Sequence, residues 1–371
     1  MLLFLPLIIK QLLYFLPKFG VVFCLCKNVL MNKKILSGMS LSELTELTDS
    51  LEESKYRAKQ LHNWIYQKSA SSFDDMTDIS KKTREKISEV AVITDVKIKD
   101  KQVSSDGTIK YLLQFNDGNC VETVLMRFDN RANLTACVSS QVGCACNCKF
   151  CATAKLGFIR NLTPREIIEQ VLTIQRDTGL KVTNIVFMGQ GEPLLNLDNV
   201  LKAIEIFNKD FIIGIRRLTV STCGIVPQIN KLAEMDFQPT LAISLHAPEH
   251  ELRQELMPIE KKYNIDELMS ALKNYVSDTG RRITIEYTLI KGFNDTLECA
   301  KKLAKLLIGL KANINLIIYN PNDKDTFEKP DKADVQKFKY ILEQSGKKVT
   351  IRLERGSDID AACGQLSNKY K

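Results

Sequence analysis

From Leu134 onward the chain alternates between two hydrophobic periods, and this restricts the fold more than any other feature. Short, apolar, β-branched runs at 134–138, 184–188, 217–221, 240–245, 283–289 and 313–318 are separated by helical stretches near 164–177, 198–208, 226–235, 264–278, 296–310 and 331–345. Strands that alternate with helices of this length pair in parallel through right-handed crossovers. Six such units are too few for a closed eight-stranded barrel, so the pattern predicts an α/β fold built on a partial (β/α)6 barrel, with a further strand at 348–353 leading into the tail.

Three segments precede the barrel. Residues 31–92 read as a small helical accessory domain for RNA, with apolar residues at helical spacing; Ser50 and Glu53 are expected to open one helix as a capping box, and Trp64, Ile65, Phe73 and Met76 to form the core. Trp64, the only tryptophan, has RNA contact as its alternative reading. Residues 93–130 change to a period of two around Asn116-Asp117-Gly118-Asn119, a hairpin turn signal, and predict a short β-ribbon linker with Glu122 on its second strand. Residues 1–30 are apolar, but Lys10, Lys18 and Lys27 interrupt them and Pro6 and Pro17 break them, so no uncharged run reaches the roughly 18–20 residues that span a bilayer. They read as a non-functional extension from an upstream start codon, Met31 being the alternative start, with a membrane-surface anchor as the competing reading. Residues 131–371 form the barrel domain.

The unusual residues cluster after the barrel strands. A cysteine-rich loop follows the first, Gly189-Gln190-Gly191-Glu192-Pro193 the second, Ser221-Thr222 ends the third, Ser244-Leu245-His246 ends the fourth, and Asn320-Pro321 follows the sixth. Barrel sites are built from loops at the carboxyl ends of strands, so five loops point at one mouth.

The loop Cys144-Ala145-Cys146-Asn147-Cys148-Lys149-Phe150-Cys151 contains the spacing C-x3-C-x2-C, and its cysteines are four of eleven in the chain. An odd total of cysteines, four of them clustered, in a long chain argues against a secreted disulfide scaffold and for metal binding in a reducing cytosol. With only three histidines, His62, His246 and His250, the sequence argues against catalysis at a histidine-rich metal site. Cys144, Cys148 and Cys151 can hold three irons of a [4Fe–4S] cluster and leave the fourth open. With Cys146 added, four thiols could instead hold zinc, although zinc ligands commonly come as two separated pairs. The net charge of +8 permits binding to RNA phosphates, for which Arg216-Arg217, Lys261-Lys262, Arg281-Arg282 and Lys301-Lys302 are candidates.

The run from Cys137 to Cys151, Gly157-Phe158, Arg160-Asn161-Leu162-Thr163, Gly191-Glu192-Pro193-Leu194-Leu195-Asn196, Ser244-Leu245-His246-Ala247-Pro248 and Asp360-Ala361-Ala362-Cys363-Gly364-Gln365-Leu366 together resemble the radical S-adenosylmethionine RNA methyltransferases, best the RlmN family of adenine-C2 methyltransferases acting on ribosomal and transfer RNA. The resemblance spans roughly residues 40 to 370. It departs from the family pattern at Gln190, where methionine is usual, at Cys223, where serine is usual, and at Cys146, where an apolar residue is usual.

The resemblance implies a radical-SAM partial barrel, a [4Fe–4S] cluster on Cys144, Cys148 and Cys151, and S-adenosylmethionine met by Gly191, Glu192, Ser221, Ser244, Leu245, His246 and Asn320. It implies that Cys363 is methylated by one S-adenosylmethionine and that a radical from a second activates that methyl group for addition to C2 of adenine. Glu122 would then act as base and Cys137 as the thiol that releases the product, leaving a disulfide. It also implies 23S rRNA and tRNA as partners, a reducing donor such as flavodoxin, a cytoplasmic monomer and no stable membrane association. Methylation at adenine C8, as in the sister family, and a zinc-stabilised RNA-binding protein without catalysis are the competing readings.

Overall fold

The computed structural model describes residues 33–128, 131–321 and 326–368, and the apolar extension lies outside them. They fall into two compact units, one ending at Asp95 and the other beginning at Val96.

Among its described residues the first unit holds three α-helices, α1 (Leu41–Ser50), α2 (Lys55–Tyr66) and α3 (Lys81–Val90), with a two-residue parallel pairing of Lys34–Ile35 against Ala91–Val92. Leu44, Leu47, Leu61, Ile65, Met76 and Ile87 are buried and form its core, each contributing about 1.5–3 kcal/mol through burial. Trp64 belongs to this core at 9% exposure, its indole N–H donating to Asp78 Oδ1 at 2.5 Å, which leaves the ring little face to offer a base. Phe73 is only half-buried. The expected capping box at Ser50 and Glu53 is not formed. Ser50 is the last residue of α1 and Ser54 precedes α2, whereas the box forms at Ser40, whose hydroxyl accepts from Glu43 N while the Glu43 carboxylate accepts from Ser40 N at 2.7 Å. Glu53 instead accepts from the Thr83 hydroxyl at 3.3 Å.

The second unit is built on a ten-stranded sheet whose strands lie in chain order: β1 (Lys97–Val103), β2 (Ile109–Gln114), β3 (Cys120–Phe128), β4 (Arg131–Cys137), β5 (Asn184–Phe187), β6 (Leu218–Thr222), β7 (Thr240–Ser244), β8 (Ile283–Leu289), β9 (Ala312–Ile318) and β10 (Lys348–Ile351). Pairing is antiparallel from β1 to β4 and parallel from β4 to β10. The barrel part carries the six expected strands, joined by α4 (Pro164–Thr178), α5 (Leu197–Lys209), α6 (Val226–Ala233), α7 (His250–Leu256), α8 (Ile265–Thr279) and α9 (Leu297–Leu306), with α10 (Lys332–Gln344) before β10. Each expected helix is present; α9 ends earlier than its pattern suggested, just before Gly309, which adopts φ +74°. The short α7 was not anticipated.

The expected ribbon strands are hydrogen-bonded into the barrel sheet and extend it through β3 and β4. The Asp117–Gly118 turn sets the register that puts Glu122 opposite Leu112. Strand β4 is therefore a seam, with Cys137 opposite Val124 in the antiparallel direction and opposite Val186 in the parallel one.

Candidate active site

Two glycines shape the loops at the mouth. Gly143 adopts φ +73°, and a Cβ there would sit 1.7 Å from the Gly157 carbonyl oxygen, so the two-stranded ribbon of Gln141–Gly143 with Phe158–Asn161 that frames the cysteine loop closes only on a residue without a side chain. Gly191 adopts φ +98°, and a Cβ there would meet the Gln141 side chain at 2.5 Å. The turn it permits lets Gln141 Oε1 accept from Glu192 N at 2.9 Å.

A cavity of about 160 Å³ lies at the carboxyl ends of the strands, and Cys144, Cys148 and Cys151 all border it. Burial, then the neighbouring thiols Cys151, Cys146 and Cys144, push the Cys148 thiol well up; Cys151 rises through burial and Cys144, and Cys144 through its hydrogen bond with Cys146 and burial. Glu192, also on the cavity, is raised by burial, while its two oxygens accept from Cys223 N at 2.8 Å and Leu194 N at 3.0 Å. Three converging thiols beside a buried carboxyl make a pocket whose acids ionise readily only against positive charge. That is the donor set and electrostatic demand of an iron–sulfur cluster with a cationic ligand.

The remaining residues expected at the cofactor divide. Gly191, Glu192, Ser221, Ser244, His246 and Asn320 border the cavity, and the Ser221 and Ser244 hydroxyls stand 3.4 Å apart at the ends of adjacent strands. Leu245 does not border it: the side chain is fully buried, and its N–H donates to the Glu286 carbonyl at 3.0 Å. His246 adopts φ +57°, its Nδ1 accepts from Thr288 N at 2.9 Å, and Asn294 Nδ2 donates to its carbonyl at 2.7 Å. Burial, then the charge of Arg253, pulls the His246 imidazole down to about 3, so it is neutral at physiological pH. In the unfolded chain it titrates near 6.5, and there the unfolded state takes up the proton first. Stability should therefore fall as the pH drops from about 6.5 toward 3. Urea unfolding at stepped pH should show this component in the wild type and not in His246→Asn.

Cys363 lies in the segment after β10 and borders both this cavity and a smaller neighbour of about 40 Å³. Cys137, at the end of β4, borders the smaller one and packs among Val124 and Leu366. Burial, then the neighbouring Cys363, pushes the Cys137 thiol up to about 12. Arg352 borders both cavities, its Nη1 3.3 Å from Met188 Sδ; the charge of Cys363, followed by those of Glu286 and Cys137, holds it cationic against burial. The segment is laced to the cysteine loop, since Gly364 O accepts from Ala152 N at 2.7 Å and Leu366 O from the Thr153 hydroxyl at 2.8 Å.

Glu122 is not the solvent-facing ribbon glutamate that a lone β-hairpin would carry. It is 1% exposed, its Oε2 accepts from Ser367 N at 2.7 Å and Asn368 N at 3.1 Å, and its Oε1 lies 3.2 Å from Lys110 Nζ. Lys110 Nζ also donates to the Asp360 carbonyl at 3.3 Å, so the ion pair grips the Cys363 segment on both sides. Gln190 joins the grip, its Nε2 donating to Asn368 Oδ1 at 2.8 Å.

Sequence reasoning missed Arg352, Lys110 and Arg253. Arg253 is fully buried in α7, pairs with Glu260 and donates to the Cys223 carbonyl at 2.6 Å, fixing the loop after β6. No local motif marks any of the three; only Lys110, which meets Glu122 diagonally across the hairpin strands, was within reach of pairing logic. Of the basic pairs, Arg216-Arg217 and Arg281-Arg282 stand at the amino ends of β6 and β8, away from the mouth. Lys302 is engaged by Glu249 and Glu298.

A family model described as the radical SAM superfamily matches residues 138–307, and one described as the ribosomal RNA large subunit methyltransferase N-terminal domain matches residues 35–93. The "Dual-specificity RNA methyltransferase RlmN" of a Nitratiruptor species is 49% identical over 331 residues, 85% of this chain and 93% of its own. The "Probable dual-specificity RNA methyltransferase RlmN" of a Thermoanaerobacter species is 49% identical over 338 residues, 90% of this chain and 98% of its own. Among solved structures, a radical SAM methyltransferase from Sphaerobacter thermophilus is 42% identical and superposes with a TM-score of 0.85, covering 90% of this chain and 99% of that one.

Proposed function

Because the chain belongs to the RlmN family of dual-specificity RNA methyltransferases within the radical SAM superfamily, we propose that it methylates C2 of adenosine in 23S rRNA and in tRNA, beside the anticodon in the latter, by way of a methylated Cys363. It is a radical SAM RNA methyltransferase, and its cofactors are a [4Fe–4S] cluster and S-adenosylmethionine. Cys144, Cys148 and Cys151 would hold the cluster, and the Glu192 carboxylate with Ser221, Ser244, His246 and Asn320 would receive S-adenosylmethionine. When bound, these groups supply a methyl group from one S-adenosylmethionine and a hydrogen-abstracting carbon radical from a second.

C2 of adenine lies between two ring nitrogens and is too electron-poor to attack an electrophilic methyl group, so the carbon must arrive as a radical. Cys363 carries that carbon and becomes joined to the RNA when it adds. Glu122 removes the C2 proton, for which its carboxylate must first leave the Ser367 and Asn368 amides. Cys137 then attacks the Cys363 sulfur; the sulfur–carbon bond breaks toward the methyl carbon, which takes up a proton, the adduct's unpaired electron would pass to the bound cluster, and a Cys137–Cys363 disulfide is left, with Arg352 favouring the Cys137 thiolate. The observation that carries this reading is that Cys363 borders the cluster cavity on one side and the Cys137 pocket on the other.

The reading includes a cytoplasmic site of action and a flavodoxin-type reductant, and among the described residues no helix is long and apolar enough to cross a membrane. Expression in a host that lacks adenine-C2 methylation, followed by nucleoside mass spectrometry of rRNA and tRNA, tests it. The expected product is 2-methyladenosine in both fractions; 8-methyladenosine alone would overturn the choice of carbon.

A further inference from the structure

Cys146 and Cys223 have no part in the chemistry above, and both were singled out in the sequence as unusual. They are 77 positions apart in the chain, yet their sulfurs lie 3.5 Å from each other. Both are buried, and both border the cluster cavity. Cys146 sits in the cysteine loop. Cys223 follows β6, held by its N–H to Glu192 Oε2 and by its carbonyl to Arg253 Nη2. Sulfurs already in contact need approach by only about 1.5 Å to reach bonding distance.

We propose that Cys146 and Cys223 form a redox-active dithiol, a second disulfide site distinct from Cys137 and Cys363, closed by low-molecular-weight disulfides such as oxidised glutathione. One protein thiolate attacks the oxidant, forming a mixed disulfide and releasing one reduced thiol; the second protein thiolate displaces the other. The protein gives up two protons and two electrons, and the oxidant leaves as two thiols. The new bond ties the loop that bears Cys144, Cys148 and Cys151 to the barrel at the end of β6, so the loop stays anchored when no cluster holds it.

Cys146, Cys223 and Glu192 also bring three metal-ligating atoms within 4.8 Å of one another. The Glu192 oxygens already accept from the Cys223 and Leu194 amides, which favours a bond between the two sulfurs over a cation among all three groups.

The test uses the full-length protein, purified anaerobically with its cluster, then exposed to oxidised glutathione, alkylated and mapped by non-reducing tandem mass spectrometry. The expected result is a Cys146–Cys223 cross-link in most chains that disappears with dithiothreitol. Cys223→Ser should lack the cross-link and carry glutathione on Cys146. Recovery of both wild-type residues as alkylated thiols would overturn the proposal. So would one zinc per wild-type chain that is lost in Cys223→Ser, which would make the pair a metal site. The wild-type map decides even if the variant folds poorly, and it does not depend on which adenine carbon is methylated.

Discussion

Cys363→Ala should form neither methylcysteine nor RNA adduct and should abolish methylation, whereas Cys137→Ala should build up a covalent protein–RNA species of about one RNA per chain. The two variants fail at different steps because the chemistry is ordered. Addition to C2 needs only the carrier; release needs proton removal and then a second thiol. Cys137→Ala retains the carrier and the tail contacts that position it, so it stops after addition. The trapped species should appear as a nuclease-sensitive shift on a denaturing gel. Glu122→Gln should also trap an adduct, since an amide cannot take up the C2 proton, although its carbonyl can still accept from the Ser367 and Asn368 amides. Because burial holds the Cys137 thiol near 12, release by the wild type should quicken by about tenfold per pH unit wherever it limits turnover. Normal turnover by Cys137→Ala would move the resolving role elsewhere; methylation by Cys363→Ala would end the methylcysteine mechanism for this protein.

Cys148→Ala should purify with almost no iron or sulfide and no activity, and Cys144→Ala and Cys151→Ala should do the same. Each removes one of three thiolates that a cluster with an open iron needs. Cys146→Ala should keep its iron and activity, because Cys144, Cys148 and Cys151 supply the three thiolates without it. Iron and sulfide assays on anaerobically purified variants separate the outcomes. Iron loss in Cys146→Ala equal to that in Cys148→Ala would make Cys146 a ligand and reopen the zinc alternative.

Where a residue's role follows from its neighbours in sequence, that role was readable before the fold was known. The alternation of apolar periods located the six barrel strands and their helices to within a few residues, and the strand ends located the mouth. The spacing from Cys144 to Cys151 picked out three thiols that the fold brings to one cavity, since all three belong to one loop. Contacts across the sheet were not readable. Nothing near Glu122 announces that residues 367 and 368 will cap it, and nothing near Cys146 announces Cys223. Leu245 shows the opposite failure: it stands inside a motif whose neighbours border the cavity, but alternation along the strand end sends its side chain into the core. Arg253 is invisible for a further reason, because a buried arginine is defined by a partner, Glu260, that sequence cannot single out from other acids.

The seam strand gives Cys137 and Cys363 unequal freedom of travel. Cys137 is stitched into ladders on both flanks, to Val124 on one side and Val186 on the other, so displacing it would mean breaking the sheet. Cys363 rides on an irregular segment held not by a ladder but by separate loop and side-chain contacts, the Glu122 carboxylate, Lys110, Gln190 and the Ala152 amide among them. In any exchange between the two sulfurs, one is the anvil and the other the hammer. The tether from Arg352 to Ser367 sets the stroke, and a change in its length would alter turnover without touching a reacting atom.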